Sequence, residues 1–210
     1  GLFRDSQKHP LCWGVLQKCN ENLSSCPIDL ITFHRKGNGN DAGEIINGSL
    51  DLIEEFSRKY PNLNDMKYSN TEADPIKKWS EARDFQSDTR YAAILVETIL
   101  QHWQAIYDSR MKNLDSISHD NSFLNYYPHV FTQRTLLARF QMNNTTPKHV
   151  QFIEKPVYSA LGLASYLGEY ASSVNVVENV SYVVSRNKNQ TKTFYLNLKN
   201  TNTSHRFHSN

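Results

Sequence analysis

The sequence predicts an α/β fold, the C-terminal part of a (β/α)8 TIM barrel followed by a smaller antiparallel β unit. Three observations predict it. Short β-branched or aromatic runs alternate with segments of helical periodicity, and that alternation implies a parallel sheet. Three such βα units are too few to close a barrel or complete a doubly wound sheet, and they match the last three-eighths of a barrel. From Ser173 the composition turns to alternating β-branched runs, which places a domain boundary near residue 170. The 210 residues suffice for one domain plus part of a second, and 39% hydrophobic with 11% aromatic content argues against a disordered chain. A net charge of +2 argues against a nucleic-acid binder, and no apolar run approaches the roughly 20 residues that span a bilayer.

The elements follow in order. Ile28 to His34 (IDLITFH) reads as a strand between Pro27 and the Gly37-Asn38-Gly39 turn. Glu44 to Tyr60 reads as a helix with Leu52, Ile53, Phe56 and Tyr60 on its apolar side. Met66 to Asn70 is a short strand. Thr89 to Met111 is the clearest helix, capped by Ser87 or Asp88, with Tyr91, Leu95, Ile99, Trp103 and Ile106 as one stripe. Asn113 to His119 is a third strand. Arg134 to Ile153 reads as a hairpin around Asn144-Thr-Thr-Pro147, and Lys155 to Tyr170 as a helix. VNVVENVSYVVS and TFYLNLKN then read as two strands joined by a polar turn, Arg186 to Gln190.

The chain opens Gly-Leu-Phe-Arg with no initiator Met and no secretory signal, so it is expected to be a piece of a longer protein. Cys12, Cys19 and Cys26 lack metal spacing; a buried thiol, or one local disulfide plus one remaining thiol, accounts for them. Asn22, Asn47, Asn143, Asn144, Asn179, Asn189 and Asn202 head glycosylation sequons, which leans towards the secretory pathway.

Side chains alternate faces along a strand. On that rule Ile28, Leu30, Thr32, His34 and Lys36 share a face, as do Met66, Tyr68, Asn70 and Glu72, and Ser116, Ser118 and Asp120. Barrel active sites lie at the C-terminal strand ends. Lys36, Glu72 and Asp120 are therefore expected to converge on one site, with His34 and Asn70 a layer below. Each also has an ordinary structural role open to it. Glu72 and Asp74 could shape the turn into Pro75, and Asp120 could be an Asx-turn residue. Lys36 could be a solvated loop charge, His34 a core histidine, Arg134 a partner for any carboxylate, and Trp79 either packing or a platform for a sugar ring. No metal cluster, G-x-S-x-G elbow or phosphate-cradling loop is present, so no metal and no cofactor is expected.

Five segments carry a family likeness: LCWGVLQKC (11–19), ITFHRKG (31–37), NTEADP (70–75) followed by Trp79, HDNSFLNYYPHVFTQRTLLARFQMNNT (119–145) and KPVYSALGL (155–163). Over about residues 10–168 the chain resembles glycoside hydrolase family 39, in its lysosomal, glycosaminoglycan-degrading branch. The resemblance implies a barrel over 1–170 and the start of a β-sandwich domain over 171–210. It implies retaining hydrolysis of terminal α-L-iduronosidic linkages in dermatan and heparan sulfate, in a lysosomal or secreted glycoprotein. Glu72 matches the family's nucleophile and Lys36 a residue contacting the substrate carboxylate. Asp120 and Arg134 match substrate-binding residues, Trp79 lines the same site, and Asn143 matches a glycosylated position near it. Lys78 departs, standing where a family relative has a glycine beside that Trp, so the backbone contact to sugar is not carried over.

Retaining hydrolysis needs two carboxyl groups roughly 5–5.5 Å apart, one to attack the anomeric carbon and one to protonate the leaving oxygen. Lys36 and Arg134 would keep Glu72 ionised and would suit a uronic acid. The family's acid/base is a Glu after Asn on the fourth barrel strand, and the chain is expected to begin after the fifth. Its partner would then be the missing N-terminal half of the same barrel, with no nucleic acid and no membrane. The alternatives are a family 39 β-xylosidase, a non-catalytic carbohydrate-binding relative, and a structural domain of an unrelated α/β fold.

Overall fold

The computed structural model describes residues 7–78, 81–119, 127–177, 180–188 and 190–197. Its first element is one the periodicity did not single out: helix α1, Pro10–Glu21, with Pro10 in the first turn and Trp13, Leu16 and Cys19 on its buried side. Proline fits there because that N–H has no helical partner to lose. A disulfide joins Cys19 to Cys26 at a Cα separation of 4.6 Å, and Cys12 lies outside it, half-buried. Of the two readings of the cysteines, the structure takes the local disulfide.

Strand β1 (Leu30–Phe33), helix α2 (Gly43–Lys59), strand β2 (Lys67–Asn70), helix α3 (Thr89–Tyr107) and strand β3 (Leu114–Ile117) follow, and the strands form a parallel sheet in the order β1-β2-β3. Buried Ile45, Ser49, Leu52 and Phe56 recur at helical spacing along α2. Asp88 caps α3, accepting from the Arg90 N–H at 2.8 Å. The buried residues of α3 spread well round its circumference, including Ala92, Val96, Leu100 and Ala105 beside Tyr91 and Leu95, while Ile106 is exposed. The cause is that α3 lies between two cores. One face meets Val157 and Ile76, and another meets Val174 and Val183 of the C-terminal strands.

The face assignment of β2 needs correcting. Tyr68 lies opposite Ile31 in register, and both belong to the apolar cluster built with Trp13, Leu16 and Phe56 of the helices. Tyr68 therefore faces the helices, and Met66 packs against the same cluster. Ser69 points the other way, its hydroxyl 2.8 Å from that of Ser116. Glu72 does not reach Lys36 by strand alternation; the chain turns after Asn70 and carries it there.

The hairpin forms as expected, from β4 (Leu137–Met142) and β5 (His149–Glu154), with Asn143 exposed in the connection. Helix α4 is shorter than its pattern, Pro156–Ala164. The run from Val174 to Ser185 is not one strand. It contributes the end of β6 (Tyr170–Val176) and most of β7 (Val180–Asn187), which pair antiparallel. With β8 (Gln190–Asn197) they make a three-stranded antiparallel sheet. No helix among the described residues is long and apolar enough to cross a membrane.

Candidate active site

The ends of β1 and β2 are tied together by their own backbone. Asn70 is fully buried, and its side chain brackets the Arg35 peptide, accepting from the Arg35 N–H at 3.1 Å and donating to the Arg35 carbonyl at 3.2 Å. Thr71 N donates to Phe33 O at 3.0 Å, and Ala73 N to Ser118 O at 2.7 Å, which fixes the Thr71–Ala73 turn across the sheet. Gly37 N donates to Asp74 O and Gly39 N to Pro75 O, each at 2.9 Å. That pairing needs glycines. A Cβ on Gly37 would sit 2.6 Å from the Pro75 carbonyl oxygen, and Gly39 has φ +92°. The GNG turn and the EADP turn are thus two halves of one platform.

On this platform Glu72 is met by two bases. Its Oε2 forms an ion pair with Lys36 Nζ and lies 3.5 Å from His34 Nδ1. Glu72 keeps 27% of its side-chain surface and His34 40%, so both are open to an incoming ligand. The same Lys36 ammonium lies 3.1 Å from Asp74 Oδ2, and Asp74 Oδ2 lies 3.2 Å from Arg134 Nη1. Arg134 also donates to Ile76 O at 2.6 Å. Asp74 and Arg134 have no exposed side-chain surface. The result is a line of alternating charge, Arg134–Asp74–Lys36–Glu72, that runs from the interior to the surface and ends on an accessible carboxylate.

Burial is the largest single influence on Glu72 and pushes its carboxyl upward. The Lys36 hydrogen bond, then the charges of Lys36, His34 and Arg134, outweigh it and hold the group below the ordinary glutamate range. Glu72 is therefore an anion at neutral pH with a cation in contact. Asp74 cannot take the complementary role of proton donor to a ligand, because its side chain has no exposed surface.

His34 and Lys36 both lie against Glu72, and Arg134 joins them through Asp74. Arg134 is buried behind Asp74 rather than set on the surface of the site. Asp120 and Trp79 lie outside the described residues. Lys78, the position that departs from the family, has φ +60°, a conformation that favours glycine. Asp74 is the member that sequence reasoning set aside as a turn residue. Its signal was available, a second acid two residues from Glu72 beside Lys36 and Arg134, but only the fold shows that both cations close on it.

The profile of Glycosyl hydrolases family 39 matches residues 5–203. The chain is 52% identical over 178 residues to the alpha-L-iduronidase of Drosophila melanogaster, covering 84% of this chain and 28% of that protein. It is 36% identical over 175 residues to the alpha-L-iduronidase of Homo sapiens, covering 80% of this chain and 27% of the relative. The chain thus spans little more than a quarter of the length of these relatives. In fold it is similar to a bacterial orthologue of human α-L-iduronidase, with TM-score 0.69 and 23% identity, covering 84% of this chain and 32% of that one. That bacterial protein is described as catalytically competent without N-glycans.

Proposed function

Because this chain belongs to glycosyl hydrolases family 39, we propose that it carries the nucleophile half of a retaining glycosidase of the α-L-iduronidase type. The observation that carries the reading is the accessible, ionised Glu72 held by a lysine that is itself held by buried Asp74. In this reading Glu72 attacks the anomeric carbon of a terminal uronosyl residue. A C–O bond to Glu72 forms as the glycosidic C–O bond breaks, and the leaving oxygen takes a proton from a second carboxyl group. Water then cleaves the ester, giving up its proton to that same group. Lys36 faces the substrate carboxylate as a point charge. The charge of Arg134 supports Glu72 from behind Asp74, while Asp120 and Trp79 complete the sugar site, and His34 borders it.

The parallel sheet is the C-terminal part of a (β/α)8 barrel over 1–170, and the antiparallel sheet begins a β-sandwich domain over 171–210. Among the described residues, β1 and β3 each pair on one side only, which leaves both edges for the missing N-terminal half. The acid/base belongs to that half. The substrate is a uronic-acid-containing glycosaminoglycan, dermatan or heparan sulfate, met in a lysosomal or secreted setting where Asn143 carries glycan.

Hence the purified 210-residue chain is expected to show no cleavage of a fluorogenic iduronide, whereas the complete protein cleaves it. The loss follows because the acid/base glutamate belongs to the N-terminal half, and among the described residues Asp74 cannot replace it. Turnover by the isolated chain at an enzyme-like rate contradicts this arrangement.

A further inference from the structure

Lys155 is a buried lysine whose charge makes no contact within the Arg134–Asp74–Lys36–Glu72 line. It is 2% exposed, and its Nζ donates to the carbonyls of Phe131 at 2.9 Å and Gln133 at 2.7 Å. Burial lowers its ammonium to about 8, and among the described residues no carboxylate pairs with it. An ammonium withdrawn from water onto carbonyl dipoles is costly, and an apolar side chain of similar volume would fill the space more cheaply. The charge does fix the chain. The two carbonyls belong to the stretch that leads into Arg134, and the Lys155 N–H grips the far side, donating to Leu136 O at 3.1 Å. Arg134 sits inside this grip, with its guanidinium on Asp74 and on the Ile76 carbonyl.

We propose that Lys155 is a positioning residue for the reaction described above: by clamping the carbonyls of Phe131 and Gln133 it keeps Arg134 on Asp74, and so keeps Lys36 between Glu72 and the substrate carboxylate. The inference rests on that functional reading. When the clamp is released, Arg134 no longer neutralises Asp74. Asp74 then competes more strongly for Lys36, and recognition of the uronate suffers most.

The test uses Lys155→Met and the milder Lys155→Gln in the complete protein. Each is assayed on a methylumbelliferyl α-L-iduronide and on the α-L-idoside, which has a hydroxymethyl group in place of the carboxylate. The ratio of the two kcat/KM values cancels the concentration of folded enzyme, so lost stability alone leaves it unchanged. The ratio is expected to fall about tenfold for Lys155→Met, a change of ~1.4 kcal/mol. It falls less for Lys155→Gln, whose amide still donates to one carbonyl. An unchanged ratio in whichever variant folds overturns the role of Lys155 and leaves the functional reading standing. Failure of both variants to fold assigns Lys155 to the fold alone and also overturns it. A wild-type protein that cleaves neither glycoside overturns the functional reading, and this inference with it.

Discussion

Glu72→Gln in the complete protein is expected to abolish turnover, lowering kcat by at least about ten-thousand-fold, the scale on which removal of a covalent nucleophile is felt. Glutamine keeps the shape of the side chain and removes the attacking anion. The fold is expected to survive. Lys36 keeps a counter-ion in Asp74 at 3.1 Å, and the Thr71–Ala73 turn is held by backbone bonds to Phe33 and Ser118. The stability that Glu72 adds depends on pH. Its folded value is lowered, so its contribution is present above the unfolded glutamate value and is lost as pH falls through the lowered folded one. Wild type and variant therefore differ in melting temperature by a few degrees at neutral pH, and by less in acid. Near-normal turnover by the variant removes Glu72 from the role of nucleophile.

Lys36→Ala carries the second large effect, and it separates a uronidase from a xylosidase. A uronide presents a carboxylate that needs a cation, and a neutral xyloside does not. The variant is expected to lose about a hundredfold or more in kcat/KM on an iduronide, the cost of leaving a desolvated charge unpaired. Its loss on a xyloside is far smaller. The pH profile should move as well. Without Lys36, the burial that pushes Glu72 upward is opposed only by His34 and Arg134. The acid limb of kcat/KM, which reports the free enzyme, shifts to higher pH. Equal losses on both glycosides with an unmoved acid limb would sink the assignment of Lys36 to the uronate.

Much of this arrangement is legible in the residues, and the exceptions have physical causes. The strand–helix alternation is readable because the helices carry apolar residues at helical spacing and the strands are short and bounded by turn residues. Asp88 is readable as a cap because an Asp before a helical run has one obvious donor to meet. Face assignment in β2 fails because Lys67–Asn70 is only four residues long, and a turn beyond Asn70 resets which way Glu72 points. The stripe on α3 is misjudged because a helix between two cores has two buried faces. Asp74 is underrated because its partners Lys36 and Arg134 lie on two segments far apart in sequence, and a turn role explains an Asp before Pro equally well. Lys155 carries no local signal, since a lysine before Pro156 at a helix start reads as an exposed cap residue until burial is known.

The central claim is that Glu72 becomes covalently bonded to the sugar. A fluorinated iduronosyl fluoride tests it directly. The ring fluorine slows both steps by destabilising the oxocarbenium-like transition state, and the fluoride leaving group speeds the first, so a glycosyl–enzyme accumulates. In the complete protein the account requires one equivalent of label, found by peptide mass mapping on the Thr71–Pro75 segment at Glu72, and none in Glu72→Gln. A label on any other carboxylate, or an active enzyme that never traps one, contradicts it.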